Sequence, residues 1–578
     1  MAQGPELANF DEEMQHLRNL LDTVSSDEEN LEEDNDFPEN EEPDDEEYFS
    51  NHDSSTEIES DSENDVSDSS TDDYFIGRDN ATKWNKEKFR ANVRISAKNI
   101  VSKLPGNTPF SKNVTSPVDA WNLLISYDMM KKLVQWTNIF IDSIRERFSR
   151  ERDAKETNEA EMKAFIGLLY LIGLHKSSHV YIRDLWATDG TGIEIFRTTM
   201  SSTRFYFLLR CLRFDDIQTR QSRKELDKLA PIREFFEKFV ENCQKAYNVG
   251  EYVTIDEKLE SFRGRCPFRQ YMPKKPSKYG IKIFALVDSR VFYTWKMEIY
   301  AGKQPNGPFQ VDNSPSSVVK RLMEPLYNSG RNLTVDNWYT SYPLSQELLQ
   351  KKITIVGTLR KNKREIPPIF LNSRKRDVYS STFGFQKETT IVSYIPKKNR
   401  NVLLLSTMHN DNAIDLSTGE AKKPEIITFY NMTKGAVDVV DEMAATYSTA
   451  KKTNRWPMAV FYAMLNVAAI NSRVLLLSTK EPPAQNRTRR SFLKSLGFNL
   501  IEDYQKIRSQ QTMLPQSLKA KLVKEEDFQP SAKKAKVTYK RCAECGSKKD
   551  RKTKFVCEKC LKPVCMEHMA CICKKCTE

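Results

Sequence analysis

At 578 residues the chain has room for about three to five domains with real cores. Its formal charge of +9 hides a division: residues 1–70 hold 26 acidic residues and one arginine, so the remainder carries +34. So basic a body expects a polyanion, nucleic acid ahead of an acidic membrane surface, and the start of the chain lacks the basic and apolar pattern of a secretory signal.

Residues 1–90 read as a disordered acidic tail. Its one amphipathic stretch carries Leu7, Phe10, Met14, Leu17, Leu20 and Leu21 at helical spacing. Ser25, Ser26, Ser67, Ser69 and Ser70 stand among acids, a context suited to an acidophilic kinase. Residues 91–250 then read as a helical domain. Pro117 suits a first helical turn, residues 132–147 follow with apolar periodicity, and Asn158 with Glu161 caps an apolar helix reaching Leu174. Ser202 starts a further helix and Pro231 another, over residues 232–247. The apolar runs at 165–174 and 457–477 are too short or too interrupted, by Asn466, Asn471 and Arg473, for membrane spans; buried helices explain them better.

Residues 251–361 read as a mixed α/β unit. In Tyr252-Val253-Thr254-Ile255-Asp256 and Asn332-Leu333-Thr334-Val335-Asp336, apolar side chains alternate with Thr and each run ends in Asp. Laid side by side, such strands hold two carboxylates at one sheet edge, an arrangement that asks for a metal. Arg263, Arg265, Arg269, Lys274, Lys275 and Lys278 follow on loops with Gly and Pro, suited to a phosphate backbone. Asp288 reads as a turn residue between two strands, and Tyr342–Gln350 as the helix before another strand. Residues 362–424 read as a β-rich insertion. Residues 425–450 return as a helix with Asp438 and Asp441 on one side and Val437, Val440 and Ala444 facing the core, which brings a third acid to the pair.

Residues 451–525 read as the second part of the helical domain. The run Lys451-Lys452-Thr453-Asn454-Arg455-Trp456-Pro457 leads into an apolar helix, and Trp456 is suited equally to stacking on an unpaired base and to packing between domains. Residues 526–541 form a basic linker with the look of a nuclear import signal. In residues 542–578, Cys542 and Cys545, Cys557 and Cys560, Cys565 and His568, and Cys573 and Cys576 form four ligand pairs, enough for two Zn2+. A cross-braced order, pairs one and three on one ion and two and four on the other, would hold a segment too short for its own core. Cys571 competes with Cys573. Cross-braces that bind proteins are the alternative to one that binds DNA.

The motifs Thr254-Ile255-Asp256-Glu257, Phe262-Arg263-Gly264-Arg265-Cys266-Pro267-Phe268-Arg269, Lys275-Pro276-Ser277-Lys278-Tyr279-Gly280, Asp336-Asn337-Trp338-Tyr339 and Lys451-Lys452-Thr453-Asn454-Arg455-Trp456-Pro457 resemble those of the piggyBac transposases. The resemblance covers residues 110–578. It implies a multidomain α/β protein: an RNase H-like catalytic core with a β-rich insertion, an all-α dimerisation and DNA-binding domain, and a C-terminal zinc domain that reads the transposon ends. It further implies Asp256, Asp336 and Asp438 as a catalytic triad holding two Mg2+, with Asp441 as an additional acid. The expected activity is cut-and-paste transposition of double-stranded DNA in the nucleus by a homodimer, through 3′-OH and hairpin intermediates, with integration at TTAA. Import factors are expected partners.

Overall fold

The structure is a computed structural model describing residues 73–89, 100–522 except 102, 274, 375 and 513, and 540–568 except 546–548, 550 and 557–561. The chain divides into two compact units, Met1–Gln505 and Lys506–Glu578.

The first unit is built on one eleven-stranded mixed sheet. Its strands are β1 (Tyr74–Ile76), β2 (Lys83–Asn85), β3 (Tyr252–Ser261), β4 (Gln270–Tyr271), β5 (Tyr279–Asp288), β6 (Thr294–Ile299), β7 (Asn332–Val335), β8 (Thr354–Thr358), β9 (Ser381–Gln386), β10 (Thr389–Lys397) and β11 (Arg400–Ser406). Across the sheet they run β1, β2, β9, β10, β11, β8, β7, β3, β5, β4, with β6 also on β5. At the centre β3, β7 and β8 are parallel. Parallel neighbours need a crossover, and Tyr342–Gln350 provides one between β7 and β8, capped by Ser341 and opened by Pro343. On the other side β3 and β5 pair antiparallel along nine residues, Val253 opposite Asp288.

Helices flank this sheet: α1 (Pro117–Leu124), α2 (Tyr127–Ile144), α3 (Glu159–Leu174), α4 (Ser202–Cys211), α5 (Arg233–Ala246), α6 (Pro315–Met323), α7 (Tyr342–Gln350), α8 (Glu425–Thr433), α9 (Ala436–Thr446), α10 (Trp456–Leu477) and α11 (Arg489–Ser509). Asn158 caps α3 through the Glu161 amide, and a Ser116–Asp119 capping box starts α1. α10 is long and apolar enough to cross a membrane, but it is almost wholly buried in protein. Its polar breaks find partners there. Asn471 both accepts from the Thr294 amide at 2.9 Å and donates to its carbonyl at 2.8 Å, and Asn466 accepts from the Thr449 amide at 3.0 Å. The Trp121 indole donates to the Tyr170 hydroxyl, which donates to the Leu465 carbonyl, both at 2.8 Å, so α1, α3 and α10 share one core.

One expectation changes. Residues 74–85 are an ordered hairpin, not acidic tail: Trp84 is buried, its indole donates to the Glu365 carbonyl at 2.9 Å, and Asn85 pairs with Phe385. A few aromatic residues that can be buried outweigh the charge of the stretch before them. The segment read as a β-rich insertion carries β9, β10 and β11, which continue the central sheet, because β11 pairs with β8, Ser406 opposite Val356. The second unit holds the helix Gln516–Leu522, a short ladder between Lys540–Arg541 and Lys552–Thr553, and the turn Met566–His568. The amphipathic stretch and the serines of residues 1–70 lie outside the described residues.

Candidate active site

The site is built where β7 ends beside β3, which itself runs on past Asp256 to Ser261 against β5. Their parallel register sets Thr254 beside Thr334 and Ile255 beside Val335, so Asp256 and Asp336 follow on neighbouring strands, spaced about 4.8 Å apart. Beyond Val335 the chain turns, and the turn is tied to the acid itself. The Asp336 carboxylate accepts from the Trp338 amide at 2.9 Å, and Thr340 donates to the Asp336 carbonyl at 2.7 Å. Val253, Ile255, Leu333 and Val335 face the core.

The threonines of the two runs fix the third element. Thr254 donates to the Thr433 carbonyl at 2.7 Å, and Thr334 shares a 2.8 Å hydrogen bond with the Thr433 hydroxyl. Both therefore grip the last residue of α8, and α9 starts over β3. Val437, Val440 and Ala444 are buried, as the helical spacing requires, while Asp438 stands in the first turn with a side chain 63% exposed. Asp256 and Asp336 are the recessed acids and Asp438 lies at the rim.

Electrostatics tie the three together. Burial raises the Asp256 pKa well above the usual carboxylate range; Glu257, Asp336 and Asp438 raise it further and Lys275 opposes them. Asp336 is pushed up to about 6 by burial and Glu257, against the amides of Trp338 and Tyr339. The Lys275 ammonium reaches into this group, 3.4 Å from Asp438 Oδ1 and 3.2 Å from the Glu257 carbonyl. Buried Lys282 also acts on Glu257, Asp336 and Asp256, and Arg360 on Asp336, so protein cations stand among these carboxylates. The donors are all hard oxygens, the ligand type Mg2+ prefers, so the residues fit a divalent metal. The acids are spread: among the described residues, only the cysteine cluster below brings three or more ligand atoms within 4.8 Å of one another. Asp441 is engaged elsewhere, paired with Lys258 at 3.0 Å.

Asp288 is a turn residue, accepting from the amides of Gly250 at 2.6 Å and Arg290 at 2.9 Å. Glu257, Tyr339 and Thr433 escaped the sequence reading. Glu257 adjoins Asp256, and the Tyr339 hydroxyl donates to it at 3.4 Å.

The basic residues fall into two groups. Arg263, Arg265, Arg269 and Lys278 are exposed, with Arg269 over the Tyr279 ring at 5.4 Å, and Lys452 and Asn454 are exposed on the facing segment. Lys274 lies outside the described residues. Lys451, Arg455 and Trp456 instead hold the fold. Lys451 donates to the carbonyls of Ser177, Ser178 and Val180 at 2.8–3.0 Å, and Arg455 to those of Leu209, Arg210 and Leu212 at the end of α4. Trp456 is buried edge-on against Phe268, 5.0 Å between centroids, the packing alternative of the two its sequence left open.

In the second unit Cys542, Cys545, Cys565 and His568 come together, pairs one and three of the cross-braced order. The Cys545–Cys565 sulfurs are 3.7 Å apart and His568 Nδ1 lies 3.4–3.6 Å from the three thiols. A tetrahedral zinc site with ordinary bond lengths requires edges of about 3.6–3.8 Å, so the cluster is compatible with zinc. Cys557, Cys560, Cys571, Cys573 and Cys576 lie outside the described residues.

The sheet carries one acid within β3, one just beyond the end of β7 and a third on the helix returning over them, and the family profile described as Transposase IS4 matches residues 116–473, which makes the chain a transposase by class. A cryo-EM structure of a piggyBac transposase synaptic complex with hairpin DNA is similar at 36% identity and a TM-score of 0.69, over 82% of this chain and all of that one. The human PiggyBac transposable element-derived protein 3 is 22% identical over 356 residues, 59% of this chain and 58% of its own length. The human PiggyBac transposable element-derived protein 5 is 20% identical over 374 residues, 62% of this chain and 70% of its own length. The chain belongs to the piggyBac transposase family.

Proposed function

We propose that this protein is an active cut-and-paste DNA transposase with an RNase H-like core, using Asp256, Asp336 and Asp438 as ligands for two Mg2+. The observation that carries the proposal is the convergence of three acids from two parallel strands and one helix, close enough for Asp336 and Asp438 both to raise the Asp256 pKa. When bound, such a metal pair supplies activation of an attacking water or 3′-OH and charge stabilisation of the leaving oxygen.

The chain's own residues prepare that chemistry. Asp256, whose pKa both other acids raise, would hold the metal pair together with Asp336 and Asp438. Trp338 and Thr340 hold Asp336 in one orientation. The exposed Arg263, Arg265, Arg269 and Lys278 offer a cationic track for the DNA backbone. Lys275 is placed to move from the acids to a phosphate as DNA arrives. Likeness to a synaptic complex on hairpin DNA supports 3′-OH attack, a hairpin intermediate and action as at least a dimer on double-stranded transposon ends. Integration at TTAA, a nuclear location and a zinc domain of two Zn2+ that reads the ends complete the proposal.

A second reading, a DNA-binding protein with idle chemistry, has the support of relatives named as transposable element-derived human proteins. Excision and integration from a plasmid carrying candidate ends separates the two. The parent should yield both products and Asp256→Asn neither, with DNA binding retained; excision by Asp256→Asn at the parental level would refute the role of Asp256.

A further inference from the structure

β3 runs beside α9, with the Thr254 contact to the end of α8 before the acids and an ion pair to α9 beyond them. Thr254 holds Thr433 at one end. At the other, the Lys258 ammonium lies 3.0 Å from Asp441 and 2.8 Å from Glu260, with only 3% of its side chain exposed. Thr254, Asp256 and Lys258 alternate along the strand, so they share one face. A slip of α9 by one turn, about 5.4 Å, would break the Lys258–Asp441 contact.

We propose that Lys258 is a positioning residue: by holding Asp441 it fixes the register of α9, so that Asp438, and not Asp441, serves the metals. This rests on the three-acid site proposed above. Burial and Glu260 raise the Asp441 pKa and Lys258 opposes that rise. Breaking a buried pair by removing one partner leaves the other uncompensated, whereas replacing both with apolar residues is close to neutral.

The test uses the zinc-loaded full chain without DNA, Mn2+ as the probe read by EPR of the free ion, and the thermal midpoint. Asp441→Asn, which can still accept from Lys258, should bind Mn2+ within about threefold of the parent, while Asp256→Asn and Asp438→Asn should lose about tenfold or more. Lys258→Met should lower both the midpoint and the Mn2+ affinity, and Lys258→Met with Asp441→Leu should recover most of both. Loss of Mn2+ by Asp441→Asn as large as that of Asp256→Asn overturns the inference by making Asp441 a ligand. So does an unchanged Mn2+ affinity in folded Lys258→Met, the mark of a purely stabilising pair. If Asp256→Asn binds Mn2+ like the parent, the three-acid site itself fails, and recovery or not of the midpoint in the double variant still decides whether the clamp exists.

Discussion

The Lys275 ammonium lies 3.4 Å from Asp438 Oδ1, at the tip of the turn between β4 and β5 whose flanks carry Arg269 and Lys278. One loop therefore carries both a track of exposed cations and a single cation directed into the acids. The burial of Lys275 disfavours its charge, but Asp438, Asp256, Asp441 and Glu257 together raise its pKa, so it remains an ammonium.

Lys275→Ala removes a tethered competitor for the metal position. Because Asp438 is largely exposed, the pair has the modest strength of a partly solvated bridge. Mn2+ affinity without DNA should then rise about threefold to fivefold, measured by titration calorimetry. An unchanged affinity would mean that Lys275 does not compete with the ion.

Asp336 gives a pH dependence with a definite sign. Its folded pKa, about 6, lies above the ordinary 3.8, so between those values the folded state holds a proton that the unfolded state has released. Stability from this group is therefore greatest below pH 4 and declines as pH rises through 6. The parent-minus-Asp336→Asn difference in thermal midpoint, measured without divalent metal, should fall across that window. Added Mg2+ should reverse the fall, since the metal selects the ionised form. A flat difference would show that the acid is not strained by its neighbours.

Much of this site was legible because strand periodicity is local. Alternation of Thr and Asp with apolar residues placed Asp256 and Asp336 on one face, and helical spacing placed Asp438 opposite Val437 and Val440. The helix Tyr342–Gln350 was read to the residue. What stayed hidden depends on partners far away in the chain. Nothing near Trp84 announces that Glu365 will accept its indole, and nothing near Ser406 names Val356 as its neighbour. Lys451 and Arg455 look like DNA contacts in sequence because a cation does not reveal which buried carbonyls it will meet. Lys258 did carry a local sign, its place two residues beyond Asp256 on the same strand face.

The cysteine cluster predicts a zinc count. If pairs one and three share an ion, Cys545→Ser and Cys565→Ser should each remove one Zn2+ per chain by atomic absorption, the same ion in both cases. Combining them should remove no second ion. Because a segment this short has little core, loss of the ion should also unfold it locally, seen as faster amide exchange at Cys542 and Thr553. Loss of a second ion on combining the variants would show that the two cysteines serve different sites.

Gly357 tests how closely the turn at Asp336 is fitted. It lies on β8 opposite Val335, and a Cβ there would stand 2.2 Å from Thr340 Oγ1 and 2.8 Å from the Val335 carbonyl. Thr340 is fully buried and its hydroxyl donates to the Asp336 carbonyl, so it has little room to turn away; the Val335 carbonyl is ladder backbone and cannot move alone. Gly357→Ala must therefore push the strand end that carries Asp336. Overpacking of this kind costs about 1–3 kcal/mol of stability. A displacement of about 1 Å at a catalytic carboxylate costs on the order of a hundredfold in rate. The variant should fold with a lowered thermal midpoint and lose most donor cleavage while keeping its affinity for transposon ends, since the exposed cations are far along the chain from β8. Cleavage at the parental rate would show that the position of Asp336 tolerates more than this packing implies.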